Sequence, residues 1–509
     1  MRPTVFMRRP APPSGLATRP VGRKLLPSAV ATRAADVPRL DLELIRRSLF
    51  YFAVANVVVA PFAPDPIAYG AGAFVPFLLM TIVGRPAMPK AVVFFLLWQW
   101  GQVFARAIQA VLDGESMAAS IDGADVLYAY WYALASLMTL ALAFRLVLGS
   151  LRVPTSFEYR AHERWRAPDL AIAYIVSIAA SLVFIFLGRL VPGADQPFQA
   201  AAQVKVIALF LLCTYVFTTG RGRGALLVAI LIEILVGFTG FLADFRAVFI
   251  YVAVAALAAR IRWSGATTAA AFAWLAVLLT LALFWTSVKF DYREYATGSE
   301  DSQQIRVPLE QRMTYLGERM LKIGDTNWGD TSYVLLTRFA YIDIFGQVIG
   351  VDRSAREAIV ARQWKDALAH VFQPRFLFPN KPVLTDSDVF MRLARSDPME
   401  QMRLGTSISV GYIAENYVDL GFPGMLAGIF GLGLLFALVV RYFMTRPLPW
   451  MLREAIIMGL VFNAVGTGME VSLPKLLGAT VMFFLVWSLM ANLALPVAMR
   501  WLERRAHLS

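Results

Sequence analysis

The sequence contains little of the material from which soluble domains and metal centres are built. Of its 509 residues only 16% are charged, one is cysteine and three are histidine, whereas soluble domains carry about 25% charged residues. The single Cys213 excludes a disulfide within the chain and a cysteine-based metal centre, and three histidines argue against a histidine-rich one. We therefore expect no metal and no other cofactor. Hydrophobic side chains make up 58% of the residues, which excludes a soluble globular protein.

The first 47 residues differ from the rest of the chain. They are rich in Arg, Pro and Ala and show no helical period of apolar residues. Such a composition predicts a disordered basic tail. An organelle transit peptide has a similar composition and is the alternative interpretation.

Twelve apolar runs follow this tail. They lie near residues 48–63, 67–84, 91–111, 126–145, 169–188, 201–219, 225–243, 246–260, 266–288, 422–441, 453–469 and 476–498. A membrane-spanning helix needs about 20 mostly apolar residues. The pattern thus predicts an all-α polytopic membrane protein with about twelve transmembrane helices. Helices one to nine occupy residues 48–288, helices ten to twelve residues 412–499, and residues 500–509 form a short tail.

The distribution of basic residues predicts the orientation of these helices. The chain has 48 basic and 35 acidic residues, a net charge of +13, and in a membrane protein such an excess favours anionic lipids over nucleic acid as partners. With the N-terminal tail inside, the even-numbered connections hold most of the arginines, whereas the short odd-numbered ones hold little beyond Arg189, Arg246 and Lys475. The positive-inside rule then places both termini in the cytoplasm.

This topology leaves one large outer loop, residues 289–411. Loops of this length without a role are uncommon. Within it, the stretch 353–371 presents Val360, Trp364, Ala367, Leu368 and Val371 on one helical face. We therefore expect an amphipathic helix lying on the bilayer or on the bundle.

Polar residues inside the predicted spans are informative because they are costly in a membrane. In the third span a polar stripe follows one helix face and runs towards the outer end; its members are Gln99, Gln102, Arg106, Gln109 and Asp113. Further polar residues lie near the outer ends of other spans: Lys205, Asp244, Arg246, Asn463, Thr467 and Glu470. They suggest a wet cavity beneath the loop. Hydrogen bonding between helices is the alternative, and Glu233, in the middle of span seven, has no partner visible in the sequence.

Two motifs stand out in the second half of the loop. In Gln373–Pro382, three prolines forbid a helix and hold Arg375 and Lys381 on a stiff backbone. The second motif, 405–424, is bounded by glycines, precedes span ten and carries Glu415 and Asp419 four residues apart.

At these two motifs the sequence resembles the bacterial O-antigen polymerase family, the Wzy-type polymerases of oligosaccharide repeat units. The resemblance covers residues 220–440 and rests on the Pro-Arg to Lys-Pro segment and on Ala-Glu-Asn-Tyr before the next helix. Residues 290–352 show no clear match. The resemblance implies a glycosyltransferase that moves a growing glycan from one polyprenyl-diphosphate carrier to another at the outer face of the bacterial inner membrane. It also implies membrane lipids, a flippase and a chain-length regulator as partners.

This chemistry needs cations for the departing diphosphate. We expect Arg246, Arg375 and Lys381 to bind it, with Arg403 and Arg106 as further substrate-binding cations. Arg375 and Lys381 lie up to about 20 Å apart in an extended chain, so they share one phosphate only if the chain turns at Pro379 and Asn380.

The acceptor hydroxyl needs a base within hydrogen-bond reach. His370 shares a helix edge with Asp366 and Arg362, and titrates near neutrality without perturbation. Glu415 needs its pKa raised by burial at the membrane entry of span ten. The proximity of Glu415 to the polar ends of spans three and eleven favours Glu415, and His370 stays the alternative. For either residue, a purely structural role is also open.

Other functions compete with a polymerase. A ligase of the same superfamily passes the finished glycan to a different acceptor, and the acceptor is not evident in the sequence. A secondary transporter can also have twelve spans, although its two halves usually show matching broken helices, and no such repeat is visible here. A non-catalytic flippase or scaffold is a further alternative.

Overall fold

The computed structural model describes residues 38–121, 123–191, 193–240, 244–298, 305–351, 363–373, 378, 380–381, 386–394, 408–466 and 468–507. The chain divides into residues 1–37 and residues 38–509, and everything below concerns the second unit. Within the described ranges the protein is all-helical and contains no strand. A single isolated bridge pairs Arg39 with Arg262.

The α-helices are numbered here in chain order. They are α1 (Leu42–Val59), α2 (Pro66–Val83), α3 (Lys90–Asp113), α4 (Val126–Leu148), α5 (Ser156–Arg160), α6 (Ala167–Leu190), α7 (Asp195–Ala202), α8 (Val204–Thr219), α9 (Arg223–Gly237) and α10 (Arg246–Ala258). They continue with α11 (Gly265–Thr297), α12 (Leu309–Leu321), α13 (Trp328–Phe339), α14 (Ile342–Gly350), α15 (Gln363–Phe372), α16 (Asp386–Ala394), α17 (Tyr412–Leu420), α18 (Met425–Met444), α19 (Trp450–Val465) and α20 (Leu473–His507).

A helix lies at each apolar run predicted from the sequence. Eight helical segments are long and apolar enough to cross a membrane: α2, α3, α4, α6, α7 continued by α8, α11, α18 and α20. The helices α1, α9, α10 and α19 occupy the remaining runs and do not belong to that set. The outer surfaces of α6, α11 and α20 expose many apolar side chains, as expected of helices that face lipid. These features define an all-helical membrane protein.

Several predicted boundaries were wrong. The helix α11 continues to Thr297, past the predicted start of the loop at residue 289, and α20 continues to His507, through most of the predicted tail 500–509. Two further boundaries have a clear local cause. The tail was expected to extend to residue 47, but α1 begins at Leu42, because the side chain of Asp41 accepts a hydrogen bond from the backbone of Leu44 at 2.9 Å and caps the helix. Span seven was expected to reach residue 243, but α9 ends at Gly237, where the chain turns tightly against the backbone of Phe245. Residues 1–37 of the predicted tail and residues 241–243 lie outside the described part of the chain.

The helices α3, α8, α10 and α19 are each buried over more than half of their residues. The helix α4 packs along α18, where Gly433 allows close approach to Ala143. At the start of α3, Glu454 of α19 accepts a hydrogen bond from the Lys90 backbone at 2.9 Å, and the Lys90 ammonium lies 3.5 Å from the same carboxylate. The buried Glu454 carboxylate thus caps α3 and neutralises the charge of Lys90, the first residue of that helix.

The described helices of the predicted loop pack against the bundle. The helix α13 lies on α3 and α11, α14 lies on α4, and α15 lies on α20. The predicted amphipathic helix is present as α15, with Ala367 and Val371 buried, but Leu368 is 42% exposed and was wrongly assigned to the buried face. Residues 352–362, including Val360, lie outside the described ranges.

Candidate functional site

The polar stripe of α3 is buried and bonded to other helices. Its first four residues, Gln99, Gln102, Arg106 and Gln109, each have at most 5% of their surface exposed. Gln99 accepts a hydrogen bond from the Tyr412 hydroxyl at 2.8 Å, and Gln102 binds the turn after α19. Arg106 Nε donates to Asp343 Oδ1 at 2.8 Å. Gln109 donates to the Tyr333 hydroxyl at 3.0 Å. For Gln99, Arg106 and Gln109 the interpretation as hydrogen bonding between helices is therefore confirmed.

Gln102 positions the turn that follows α19. Its side-chain oxygen accepts from the Met469 backbone at 2.9 Å, and its side-chain nitrogen donates to Glu470 at 3.5 Å. Gly468 makes this approach possible, since it has a φ of +83° and a side chain there would collide with Gln102. The turn thereby holds the Glu470 carboxyl beside the middle of α3.

The segment before α17 runs along the same turn. The backbone of Tyr412 donates to the carbonyl of Val471 at 2.7 Å. Gly411, with a φ of +84°, leaves no space for a side chain against the Met469 carbonyl. The Tyr341 hydroxyl donates to the Ser409 carbonyl from the other side. Three distant segments of the chain, around residues 341, 411 and 470, are therefore locked together next to α3.

Two arginines from other helices act electrostatically on Glu470, and the cluster of Arg246, Arg338 and Glu470 is called the recess below. Arg246 begins α10 and Arg338 lies at the end of α13, and both side chains are exposed to solvent. Burial raises the pKa of Glu470, while the positive charges of Arg246 and Arg338 oppose that rise. Among the described residues neither guanidinium makes a hydrogen bond or a salt bridge. Arg246 and Arg338, which are about 90 residues apart in the sequence, thus both act on the Glu470 carboxyl group.

Asp244 extends the recess towards α8. Its side chain is accessible to solvent, yet the surrounding protein raises its pKa by desolvation, and Arg246 and Lys205 oppose this shift. Lys205 itself is paired with Glu233 at 2.8 Å, and Glu233 also accepts from the Tyr174 hydroxyl at 2.6 Å. Glu233, which had no partner visible in the sequence, therefore belongs to a structural network.

The recess combines two functions that a transfer reaction on a phosphate ester needs. Guanidinium groups bind phosphate oxygens through paired N–H donors, and a carboxyl group with a raised pKa exchanges protons closer to neutrality than an ordinary one. Arg106 contributes less free charge, because it is only 2% exposed and already paired with Asp343. In the part of the chain that the structure describes, no three His, Cys, Asp or Glu side chains lie close enough to share a metal ion.

Glu415 is in a different environment. It is 2% exposed, and its Oε2 atom accepts from the backbone of Leu473, the first residue of α20, at 2.6 Å. Burial raises the pKa of Glu415 to about 8; the Leu473 N–H and Lys475 oppose the rise, and Asp386 and Asp419 add to it. The predicted burial and raised pKa are present, but the carboxylate caps a helix and does not face the recess.

The next carboxylate of the same motif also caps a helix. Asp419 accepts from the backbones of Gln363 and Trp364 at 3.2 and 2.8 Å, at the start of α15. Between the two caps, the indole of Trp364 donates to Asn416 at 3.0 Å. The Ala-Glu-Asn-Tyr motif and Asp419 therefore join α15, α17 and α20.

The remaining predicted site residues lie around α15 or cannot be placed. The Lys381 ammonium donates to the backbone carbonyls of His370 and Gln373, the latter at 2.8 Å, and so caps the end of α15. His370 lies in the last turn of that helix. Arg375 and Arg403, which were predicted to bind the substrate, lie outside the described residues.

Arg338 was missed in the sequence because it lies in the half of the loop without recognisable motifs. Only the structure shows that Tyr333 and Thr337, four residues apart on α13, bind Gln109 and so bring α13 against α3. Glu470 was recognised as part of a polar cavity but not as a candidate site residue, since its two arginine neighbours are remote in sequence. Comparison with known protein families, with curated proteins and with solved structures gives no match for this chain.

Proposed function

We propose that this protein is a polymerase of lipid-linked oligosaccharide repeat units, which transfers a glycan from a polyprenyl-diphosphate donor to the sugar of a lipid-linked acceptor. The observation that carries the proposal is the recess in which Arg246 and Arg338 act on Glu470 without a described ion-pair partner of their own. An arginine pair of this kind suits a departing diphosphate. It has no evident role in stability, since exposed unpaired cations contribute little to it.

In the proposed reaction, the acceptor hydroxyl attacks the anomeric carbon of the donor. The new glycosidic bond forms as the bond from that carbon to the diphosphate oxygen breaks, and the hydroxyl proton passes to a base. Arg246 and Arg338 stabilise the negative charge that develops on the leaving diphosphate, which is worth most where water is partly excluded. Arg375 and Arg403 of the loop remain candidates for holding the rest of the substrate.

Glu470 is the base that the geometry supports best. It faces the two arginines, whereas the Glu415 carboxylate already accepts the Leu473 N–H and is closed to solvent. His370 lies on α15, whose contacts are with α17 and α20. Glu415 and His370 remain the alternatives predicted from the sequence, and the variants described in the Discussion separate the three.

The proposal includes twelve spans, cytoplasmic termini, location in a bacterial inner membrane and an outer loop at residues 289–411. Introduced cysteines test this topology, because the native Cys213 is fully buried and should not react with a thiol reagent. In intact spheroplasts, Glu318→Cys on the exposed side of α12 should react with a membrane-impermeant thiol reagent. Glu503→Cys near the end of α20 should react only after lysis. The reverse pattern would overturn the orientation.

The function is tested with the purified chain and a defined polyprenyl-diphosphate oligosaccharide. Products longer than one repeat, with release of polyprenyl diphosphate, are expected. Transfer only to an added acceptor of another class would identify a ligase. Movement of the oligosaccharide across liposomes without a new glycosidic bond would identify a transporter, and either result would overturn the polymerase.

A further inference from the structure

A second cavity lies at the opposite end of α19 from Glu470. It is open to solvent, has a volume of about 410 Å³, and its lining includes Arg446, Arg453, Phe157, Trp450 and Glu158. The 16 residues of α19 separate it from the recess by about 24 Å at 1.5 Å per residue. It is therefore independent of the site described above.

The two arginines of this cavity are fixed by neighbouring residues, and each has a further N–H donor for which the described residues supply no acceptor. Arg453 donates from Nη1 to the Met444 carbonyl at 2.6 Å and lies over the Trp450 ring, while Arg446 donates to Tyr442 and, at 3.3 Å, to Asn492. The Nε atom of each is shielded from solvent and has no hydrogen-bond partner among the described residues. A buried N–H donor without an acceptor is costly. An acceptor bound in the cavity removes that cost.

The backbone adds further donors at the same place. The helix α19 begins at Trp450 after Pro449, and no side chain caps it. The N–H groups of Trp450 and Met451 thus lack an acceptor among the described residues, whereas those of Leu452 and Arg453 donate to the Pro449 carbonyl. The helix dipole places partial positive charge there. Pro449 and Trp450 line the cavity beside the arginines.

The acidic residue of the cavity, Glu158, offsets part of this charge, since it attracts Arg453. Glu158 accepts from the backbone and hydroxyl of Thr155 at 2.8 and 3.0 Å, which caps α5, and it lies 3.8 Å from Arg152. Its carboxylate is therefore already engaged. The rest of the lining is largely apolar or aromatic, including Phe157, Pro447, Leu448 and Trp450.

We propose that this cavity binds the phosphate group of an anionic phospholipid. Two arginines and an uncapped helix N-terminus suit the phosphate, and the apolar lining suits the glycerol and upper acyl region. A free phosphate ion shares the first chemistry but not the second. The volume is within the range of about 300–1,000 Å³ for small-ligand sites.

The test uses the full-length chain purified in detergent, with thermal unfolding measured as lipid is added. Phosphatidylglycerol should raise the unfolding midpoint in a saturable manner, whereas phosphatidylcholine and inorganic phosphate should not. Arg446→Gln and Arg453→Gln should each weaken the apparent affinity about fivefold, since one basic residue near an anionic lipid contributes about that factor. Arg504→Gln, an exposed arginine near the end of α20, is the matched control and should leave the affinity unchanged.

A variant that keeps both arginines of the cavity guards against misfolding. Thr445→Glu places a carboxylate at the rim of the cavity, where Thr445 is exposed, and should abolish the response to phosphatidylglycerol without lowering the midpoint measured in detergent alone. An equal response in wild type and all pocket variants would overturn the proposal. A response to inorganic phosphate but not to phosphatidylglycerol would assign the cavity to a free anion and overturn the lipid.

Discussion

Two acidic segments flank the start of α20, and they differ in what surrounds their carboxyl groups. In α17, Glu415 and Asp419 accept backbone N–H groups from the first residues of α20 and α15. In the turn before α20, Glu470 faces the side chains of Gln102, Arg246 and Arg338. The first segment fulfils the hydrogen-bonding needs of helix ends, whereas the second gathers charges that the fold does not need. The dense motif around Glu415 and Asp419 therefore has a structural role in this protein. The reaction is expected at the recess, where residues far apart in the sequence come together.

The largest effect should come from the recess arginines. Arg246→Ala or Arg338→Ala should lower turnover of a lipid-diphosphate donor about 10²–10³-fold, the range seen when one donor aimed at developing charge is lost. Polymer length and released polyprenyl diphosphate are the readouts. Arg189→Ala, at the exposed end of α6, is the control and should behave as wild type. Normal turnover in Arg338→Ala at wild-type protein levels would remove the recess from the mechanism.

Isosteric variants test which of the two glutamates, Glu470 or Glu415, is the base. Glu470→Gln should lower turnover about 10²–10⁴-fold through loss of the base while substrate binding persists. Glu415→Gln should stay near wild type, since an amide oxygen still accepts the Leu473 N–H. An inactive Glu415→Gln beside an active Glu470→Gln would restore the assignment made from the sequence. If both variants are active, His370→Ala becomes the deciding measurement.

A third prediction concerns stability rather than turnover. Glu415→Ala removes the acceptor that caps α20 and should lower the free energy of unfolding by about 0.5–2 kcal/mol. Asp419→Ala should do the same at α15. Thermal unfolding in detergent measures both, with Glu415→Gln as the comparison that keeps an acceptor. Unchanged midpoints in both alanine variants would mean that neither carboxylate acts as a cap.

The raised pKa of Glu415 predicts a pH dependence. Between its ordinary value of 4.5 and about 8, the folded protein retains a proton that the unfolded chain releases. This contribution to stability is fully present below pH 4.5 and is lost as the pH rises through 8. The unfolding midpoint of wild type should therefore fall more steeply than that of Glu415→Gln across this window. Parallel pH profiles would contradict the assignment.

The smallest effect is expected at Lys381. Its ammonium binds the carbonyls at the end of α15, so Lys381→Ala should cost about 0.3–1 kcal/mol of stability and leave turnover near wild type. A loss of turnover as large as that of Arg338→Ala would show that Lys381 leaves these carbonyls to bind substrate. Donor turnover at matched protein levels decides between the two.

The positions of the helices were predictable because apolar runs in this chain are long and separated by charged connections. Backbone groups in an apolar surrounding must be bonded within their own segment, so a run such as 126–145 leaves little choice but α4. The ends were less predictable, since they depend on single contacts. Asp41 starts α1 six residues before the predicted tail ends, and the approach of Gly237 to Phe245 shortens α9.

The candidate site was predictable only in part. The stripe on α3 and the position of Arg246 follow from helical spacing and from the short connection after α9. The meeting of Arg338 with Glu470 does not, because it depends on how α13 lies against α3. Nor does spacing reveal that Glu415 and Asp419 face helix ends, since four-residue spacing places them on one side of α17 without indicating what lies there.

The ion pair between Lys90 and Glu454 has a consequence for biogenesis. Its two residues are 364 positions apart, which at 5–20 residues per second corresponds to about 20–70 s of translation. During that interval the first turn of α3 has neither its acceptor nor its counter-charge. The contacts at the start of α3 can therefore be completed only when the last helices are being made, and until then the Lys90 ammonium has only the carbonyls of Pro86 and Met88 as partners there.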